Sequence, residues 1–155
     1  MIGMTDMDLI RKISRRIRNR LDRSDKARIK RLMKNPPGIK KNSVVFLSSD
    51  DYTGNPKALF LYMIEPGYNK KYHITWLFEK RENYFEFDLP NVSSVYMWAD
   101  VAEGEQRTYE SFKAVMSARY VFYSHNVNWV KRFREKQTFI DLWHGCGYKG
   151  DLSSD

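Results

Sequence analysis

The feature that most constrains the fold is an alternation of short apolar runs with helical patterns after residue 40. Val44 to Leu47 is a compact, β-branched run that predicts a buried first strand. Asn55-Pro56 then predicts a helix start, with Asn as the N-cap and Pro at the first helical position. Further strands are predicted at 72–78, 92–97 and 118–123, and further helices at 108–117 and 129–134. Strands that alternate with helices predict an α/β fold with a parallel, doubly wound sheet.

The last predicted strand stops abruptly at a glycine. Its apolar run extends from Phe139 to Trp143 and is followed by His144-Gly145, which predicts a buried strand and then a tight turn. His144 would lie at the carboxyl end of this strand, the edge at which open α/β sheets bind ligands. A neutral imidazole there can accept a proton near pH 7, so His144 is a candidate general base. A hydrogen-bonded structural histidine is the alternative.

Other residues are predicted to line the same crevice. Ser48 follows the first strand, His125 follows the strand at 118–123, and Gly145 would let a substrate backbone or phosphate approach closely. The sequence has no P-loop, no CxxC and no HExxH, and Cys146 is its single cysteine. Nucleoside-triphosphatase and metalloprotease functions therefore lack their usual motifs, and we predict no cofactor and no metal site.

Length and composition predict one folded domain. A chain of 155 residues with 42% hydrophobic residues can build a core of ordinary size. A single cysteine fits a reducing compartment, the N-terminus lacks the apolar core of a signal peptide, and no apolar run approaches the ~20 residues that span a bilayer. We therefore expect a cytoplasmic location. The net charge of +8 predicts an anionic partner.

The positive charge is concentrated in residues 7–34. This arm contains twelve lysines and arginines against three aspartates, so its charge is at least as large as the +8 of the whole chain. Apolar residues recur at helical spacing from Leu9 to Leu21 and predict an amphipathic helix, and a second short helix is predicted after Ser24. The basic residues that we expect to contact anionic lipid are Arg11, Lys12, Arg15, Arg16, Arg18 and Arg20.

Two alternatives to a membrane-associating arm remain at this stage. The first is a solvated helix that packs on its own domain. The second is RNA binding, which is less favoured because no base-stacking aromatic residue lies between the arginines, so we expect no specific nucleic acid as a partner. Asn35-Pro36-Pro37-Gly38 would break any helix. We therefore divide the chain into an arm and linker at 1–38 and a Rossmann-like domain at 39–155.

Several blocks of sequence resemble one known family. The blocks are Lys131 to Gly145 with its Trp-His-Gly ending, Lys149 a few residues later, Asn55-Pro56-Lys57-Ala58, Tyr72 to Phe78, and Ala118 to Val121. In this order they resemble the CDP-glycerol glycerophosphotransferases, the teichoic acid primases and polymerases of Gram-positive bacteria. The resemblance covers roughly residues 43–149.

The resemblance implies a fold and a reaction. Family members have two Rossmann-like halves, as in B-type glycosyltransferases, with the active site between them. The N-terminal half carries the Trp-His-Gly histidine as a candidate base toward the acceptor, which implies that role for His144 and a phosphate contact for Lys149. The C-terminal half binds CDP-glycerol; glycerol phosphate moves to a hydroxyl of a lipid-linked polyol-phosphate or glycan acceptor, and CMP leaves.

The resemblance also implies a place in the cell and an extent. Family members act at the cytoplasmic face of the membrane, as peripheral proteins, which agrees with the basic arm. Because the chain ends at Asp155, we expect it to be the N-terminal half, inactive without a donor-binding domain. The competing interpretations are a non-catalytic membrane- or acceptor-binding module and a basic RNA-binding domain.

Overall fold

The computed structural model describes residues 25–48, 50–101, 104–124 and 135–143. Within these ranges the chain forms three helices and seven strands, together with short 3-10 turns at Tyr68–Lys70 and Arg81–Asn83. In chain order the elements are α1 (25–34), β1 (Lys40–Leu47), α2 (Gly54–Ile64), β2 (His73–Phe78), β3 (Val92–Tyr96), β4 (Trp98–Val101), β5 (Gly104–Arg107), α3 (Tyr109–Ser117), β6 (Ala118–Tyr123) and β7 (Thr138–Asp141).

Five of these strands form a parallel sheet in the order β3-β2-β1-β6-β7. The central strand is β1, in which Val45 pairs with Thr75 of β2 on one side and with Val121 of β6 on the other. The chain thus adds β2 and β3 on one side of β1 and then crosses to the other side for β6 and β7. This arrangement confirms the predicted α/β fold with a doubly wound, parallel sheet.

Alternate residues of β1 face two separate apolar cores, one on each side of the sheet. Val44 and Phe46 are buried in a cluster that contains Phe60 of α2. Val45 and Leu47 are buried in a second cluster that contains Val115 of α3. A strand that is covered on both faces reads as an unbroken apolar run, which is why the run that begins at Val44 predicts β1 correctly.

The start of α2 differs from the sequence prediction. Asn55 is predicted as the N-cap, but the N-cap is Thr53, in an extended conformation with φ −136° and ψ 173°, and the helix begins at Gly54. Gly54 has a φ of 61°, in the left-handed region that glycine adopts without strain. Asn55 therefore lies inside the first turn, and its side chain is not used to cap the helix.

The outer side of α2 is also apolar. Pro56 and Phe60 are buried on the inner side, whereas Leu61 and Tyr62 expose 47% and 69% of their surface on the outer side. Lys57 is the one charged residue within α2. A helix that is apolar all round is normally buried, so the outer side of α2 is unusual for a solvent-facing helix.

The strands β4 and β5 pair as a small antiparallel hairpin that the sequence did not predict. The hairpin leads to α3, whose N-cap is Thr108. The Thr108 hydroxyl accepts a hydrogen bond from the Ser111 N–H at 3.2 Å and donates to the Tyr96 carbonyl at 3.2 Å. The N-terminus of α3 is therefore tied to the carboxyl end of β3.

The described end of the basic arm packs on the domain. Residues 25–34 form α1, which confirms the second short helix predicted after Ser24, and Ile29 and Leu32 are buried. The Arg28 guanidinium lies 3.8 Å from the ring centre of Tyr109 and 3.5 Å from the carboxylate of Glu110, so α1 contacts the first turn of α3.

The strand β7 is shorter and more exposed than predicted. It ends at Asp141, and Leu142 and Trp143 follow it without regular structure. It is the outermost of the described strands on its side of the sheet, so its residues are half-buried or exposed rather than buried. The predicted helix at 129–134 lies outside the described residues.

Candidate active site at the carboxyl edge of the sheet

The strand order creates one topological switch point, between β1 and β6. The connection from β1 runs through α2 to β2, on one side, whereas β6 is reached through α3 on the other side of β1. The two helices pack on opposite faces of the sheet. Connections that diverge in this way open a crevice beyond the carboxyl ends of the strands, and open α/β sheets bind their ligands there.

Two serines follow the two strands of the switch point. Ser48 comes directly after β1 and Ser124 directly after β6, and both are buried. The Ser48 hydroxyl oxygen accepts a hydrogen bond from the Thr53 N–H at 3.4 Å. A hydroxyl that accepts a hydrogen bond can still donate its own hydrogen. Ser48, a predicted substrate-binding residue, therefore lies at the expected edge and helps to shape the loop that leads to α2.

Asp51 joins the loops that follow β1 and β2. Its side chain is 1% exposed and accepts hydrogen bonds from the backbone N–H groups of Glu79 at 2.6 Å and Lys80 at 2.7 Å. The Asn83 amide contributes a third, longer bond at 3.4 Å. Asp51 also has a φ of 46°, a conformation that Asp tolerates better than most residues. This carboxylate is thus a structural bridge between two loops of the candidate site.

The chain that leaves β7 is held at the same edge by three hydrogen bonds to other elements, and a fourth bond lies within the segment itself. The Leu142 N–H donates to the Tyr123 carbonyl at 2.7 Å, and the Trp143 N–H donates to the Asp141 carboxylate at 3.0 Å. The side-chain amide of Asn55, in the first turn of α2, donates to the carbonyls of both Leu142, at 2.7 Å, and Trp143. The segment 141–143 is therefore fixed beside the N-terminus of α2.

Charges of both signs lie at this edge: Lys57 in the first turn of α2, and the carboxylate of Asp141 at the end of β7. The N-terminus of a helix carries a partial positive charge. The ammonium of Lys57, in the first turn of α2, lies 4.6 Å from the ring centre of Tyr52, in the loop before this helix. Burial raises the pKa of the Tyr52 phenol, and burial together with the charge of Asp141 raises the pKa of Tyr123. Both tyrosines therefore remain neutral near pH 7.

Most of the predicted site residues lie outside the described residues. These are His144, Gly145, Lys149 and His125 at the site, and Arg11, Lys12, Arg15, Arg16, Arg18 and Arg20 in the arm. The third histidine, His73, is exposed at the amino end of β2, away from this edge. Across the described ranges no cluster of three or more His, Cys, Asp or Glu residues has the arrangement of a metal site.

Sequence reasoning missed two residues that shape this edge. Asn55 is interpreted from the sequence as a helix cap, yet it binds a segment almost ninety positions further along the chain. The signal was present, because Asn55 opens one of the blocks that resemble the family. Asp51 belongs to a polar loop that the sequence cannot distinguish from a solvated one. Only the fold shows that the loop after β2 supplies its hydrogen-bond donors.

Comparison with protein families gives a match over residues 28–150, to the model described as CDP-Glycerol:Poly(glycerophosphate) glycerophosphotransferase. The chain belongs to this family. The match confirms the resemblance seen in the sequence and extends it toward the N-terminus, into α1. Comparison with curated protein sequences gave no match.

Solved structures of the wall teichoic acid polymerase TagF are similar in fold. One TagF structure matches with a TM-score of 0.61 and 19% identity, over 91% of this chain and 32% of that chain. A second, of a histidine-to-asparagine variant soaked with CDPG, matches with a TM-score of 0.59 and 22% identity, over 92% of this chain and 32% of that chain. The chain therefore spans about a third of the length of the TagF structures.

The likeness to TagF agrees with the family match on the fold. At 19–22% identity it establishes the architecture, a parallel α/β sheet as in that polymerase. No helix among the described residues is long and apolar enough to cross a membrane.

Proposed function

We propose that this chain is the N-terminal, acceptor-side part of a transferase that acts in teichoic acid or related cell-wall polymer synthesis. The transferase moves glycerol phosphate from CDP-glycerol to a hydroxyl of a lipid-linked polyol-phosphate or glycan acceptor. Family membership over residues 28–150 supports the reaction class. CDP-glycerol binds through a further domain, which accords with a chain that spans about a third of the TagF structures. On its own the chain is inactive.

One observation carries the assignment of the active site. Trp143, the residue directly before His144, is held beside the first turn of α2 by a hydrogen bond from Asn55, and its own N–H donates to the Asp141 carboxylate. A rigidly held strand end next to a crevice is a suitable support for a general base. In the proposed reaction His144 takes the proton of the acceptor hydroxyl as its oxygen attacks the phosphorus that bears the glycerol. The new P–O bond forms, the bond to CMP breaks, and CMP leaves with the electron pair.

The remaining site residues have binding roles in this proposal. Gly145 allows the substrate to approach the backbone, and Lys149 contacts a phosphate. Ser48 and His125 follow β1 and β6 and contact the acceptor from the two sides of the switch point. The partial positive charge at the N-terminus of α2 adds to the attraction for phosphate.

The arm at 1–38 places the domain at 39–155 on the cytoplasmic face of the membrane as a peripheral protein. Support comes from the geometry of α1. Its first turns contact Tyr109 and Glu110, at the N-terminus of α3, which in turn is tied to the carboxyl end of β3. The first described turns of α1 therefore lie at the edge that carries the candidate site. An arm bound to anionic lipid would hold this edge close to a lipid-linked acceptor.

The test of the proposed function is replacement of the candidate base. In the intact transferase, with CDP-glycerol and a membrane-bound acceptor, we expect His144→Ala to lower transfer by ~10²-fold or more, as for a lost general base. His73→Ala is the matched control, because His73 is exposed at the opposite edge of the sheet and should leave transfer unchanged. Near-normal transfer by His144→Ala would refute the catalytic assignment.

The membrane role has a separate test. Replacing Arg11, Lys12, Arg15, Arg16, Arg18 and Arg20 by Gln should release the protein from vesicles that contain anionic lipid. Wild-type binding to these vesicles should weaken as salt is raised, because screening reduces the attraction. Binding to RNA at physiological salt together with no binding to the vesicles would reject the membrane role in favour of the nucleic-acid alternative.

A further inference from the structure

The geometry points to Asn55 as a positioning residue for the transfer reaction, an inference that rests on the proposed function. We infer that its amide holds the Leu142–Trp143 backbone in the conformation that places the following residue, His144, for proton transfer. Asn55 itself need not touch the substrate. The inference depends on three observations.

The first observation is the match between the amide and its acceptors. The –NH₂ group of an asparagine side chain has two hydrogens, and Asn55 directs one to each of two consecutive carbonyls, those of Leu142 and Trp143. Consecutive carbonyls of an extended strand point in opposite directions. One donor group can reach both only if the backbone has turned, so Asn55 selects a specific turn at the end of β7.

The second observation is that this turn is held although it is exposed. Trp143 exposes 62% of its surface, and both hydrogen bonds of Asn55 lie at an exposed site. Exposed hydrogen bonds add little to the stability of a fold because water competes for both partners. Three hydrogen bonds from segment 141–143 to other elements are therefore better explained by a need for a fixed geometry than by a need for stability.

The third observation concerns the helix that carries Asn55. Asn55 belongs to the first turn of α2, and α2 is anchored in the core by Pro56 and Phe60. A side chain on an anchored helix is a more precise support than one on a loop. The left-handed Gly54 and the N-cap Thr53 place Asn55 one position inside the helix, at the end that faces the switch point.

The experiment compares Asn55→Ala with Asn69→Ala in the intact transferase. Asn69 is a matched control, because its amide also donates to a distant backbone carbonyl, that of Pro90 at 3.0 Å, but at the amino edge of the sheet. We expect Asn55→Ala to lower kcat by about 10- to 100-fold, as for a misplaced reacting group, with KM for CDP-glycerol within about twofold. Its thermal midpoint should shift by no more than about 4 °C.

Asn69→Ala should lose at least as much thermal stability and keep its kcat, because Asn69 is buried and remote from the site. A second substitution, Asn55→Ser, keeps one hydrogen-bond donor and should give an intermediate kcat. A kcat for Asn55→Ala within twofold of wild type would overturn the inference. Equal losses of kcat in Asn55→Ala and Asn69→Ala would also overturn it, since the loss would then reflect a structural role that both residues share.

The outcome for His144→Ala separates this inference from the proposed function. If His144→Ala is inactive and Asn55→Ala is normal, the function stands and the positioning role of Asn55 fails. If His144→Ala is active, the assignment of the base fails, and a defect confined to Asn55→Ala would refute the link between Asn55 and His144.

Discussion

The buried carboxylate of Asp51 should be one of the largest single contributors to the stability of the described domain. It is 1% exposed and accepts two short bonds from the backbone N–H groups of Glu79 and Lys80. Hydrogen bonds to a charged group contribute about 1.5–3 kcal/mol each, so loss of both in Asp51→Ala should cost about 3–6 kcal/mol. Its φ of 46° should add about 1 kcal/mol of strain for Ala.

A loss of that size is a large fraction of the 5–15 kcal/mol that typically stabilises a domain. Asp51→Asn keeps one acceptor oxygen and the tolerance of a positive φ, so it should cost less, about 2–3 kcal/mol. The neighbour Asp50 provides the control. Its carboxylate is largely exposed and pairs with Lys80 at 3.2 Å, so Asp50→Asn should cost at most about 1 kcal/mol.

The assay is equilibrium unfolding of the full chain in urea, followed by circular dichroism. Amide hydrogen exchange adds a local readout, because the amides of Glu79 and Lys80 should lose protection in the Asp51 variants before the rest of β2 does. If Asp51→Asn unfolds at the same urea concentration as Asp50→Asn, the two backbone bonds contribute nothing measurable and the reasoning fails.

Two further predictions concern the amino edge and the aromatic segment after β2. Gln137→Ala should destabilise the chain by about 1–3 kcal/mol in urea, because the Gln137 amide donates to the carbonyls of Val115 at 2.8 Å and Ala118 at 2.9 Å; an unchanged midpoint would contradict this. The hydrogen bond to Glu86 raises the pKa of Tyr84 from 10.0 to about 12. The associated stability should be complete below pH 10 and lost as the pH rises through 12. An ultraviolet titration should show the pKa of Tyr84 fall in Glu86→Gln, and an unaltered titration would count against the bond.

The sequence was sufficient to predict the sheet, for a clear physical reason. Both faces of the first strand are covered, so the run from Val44 to Leu47 is apolar without interruption, and the strand at 72–78 is apolar apart from His73 and Thr75; both strands are therefore visible in the sequence. The hairpin β4–β5 cannot be predicted from apolar patterns, because Gly104 to Arg107 is polar and has no apolar alternation. The edge position of β7 was also beyond prediction, since strand order is decided by long-range pairing.

The sequence predicted the location of the candidate site but not the contacts that form it. The edge follows from the strand pattern, and Ser48 lies there as expected. The partners of Asp51 and Asn55 come from segments 28 to 88 positions away in the chain, which no local pattern reveals. Asn-Pro indicates a cap because the residue before a proline avoids the helical region; here the helix begins two residues earlier than predicted, at Gly54 rather than Pro56.

The outer side of α2 has a consequence for the solution behaviour of the protein. Leu61 and Tyr62 expose apolar surface on a helix with a single charged residue, so mutual repulsion between molecules depends on charges elsewhere. At low ionic strength the net charge of +8 opposes contact between these surfaces. At ~1 M salt the screening length falls to about 3 Å, and that repulsion acts only at contact. The colloidal stability of this protein therefore rests on its electrostatics, and high salt allows its apolar helix faces to come together.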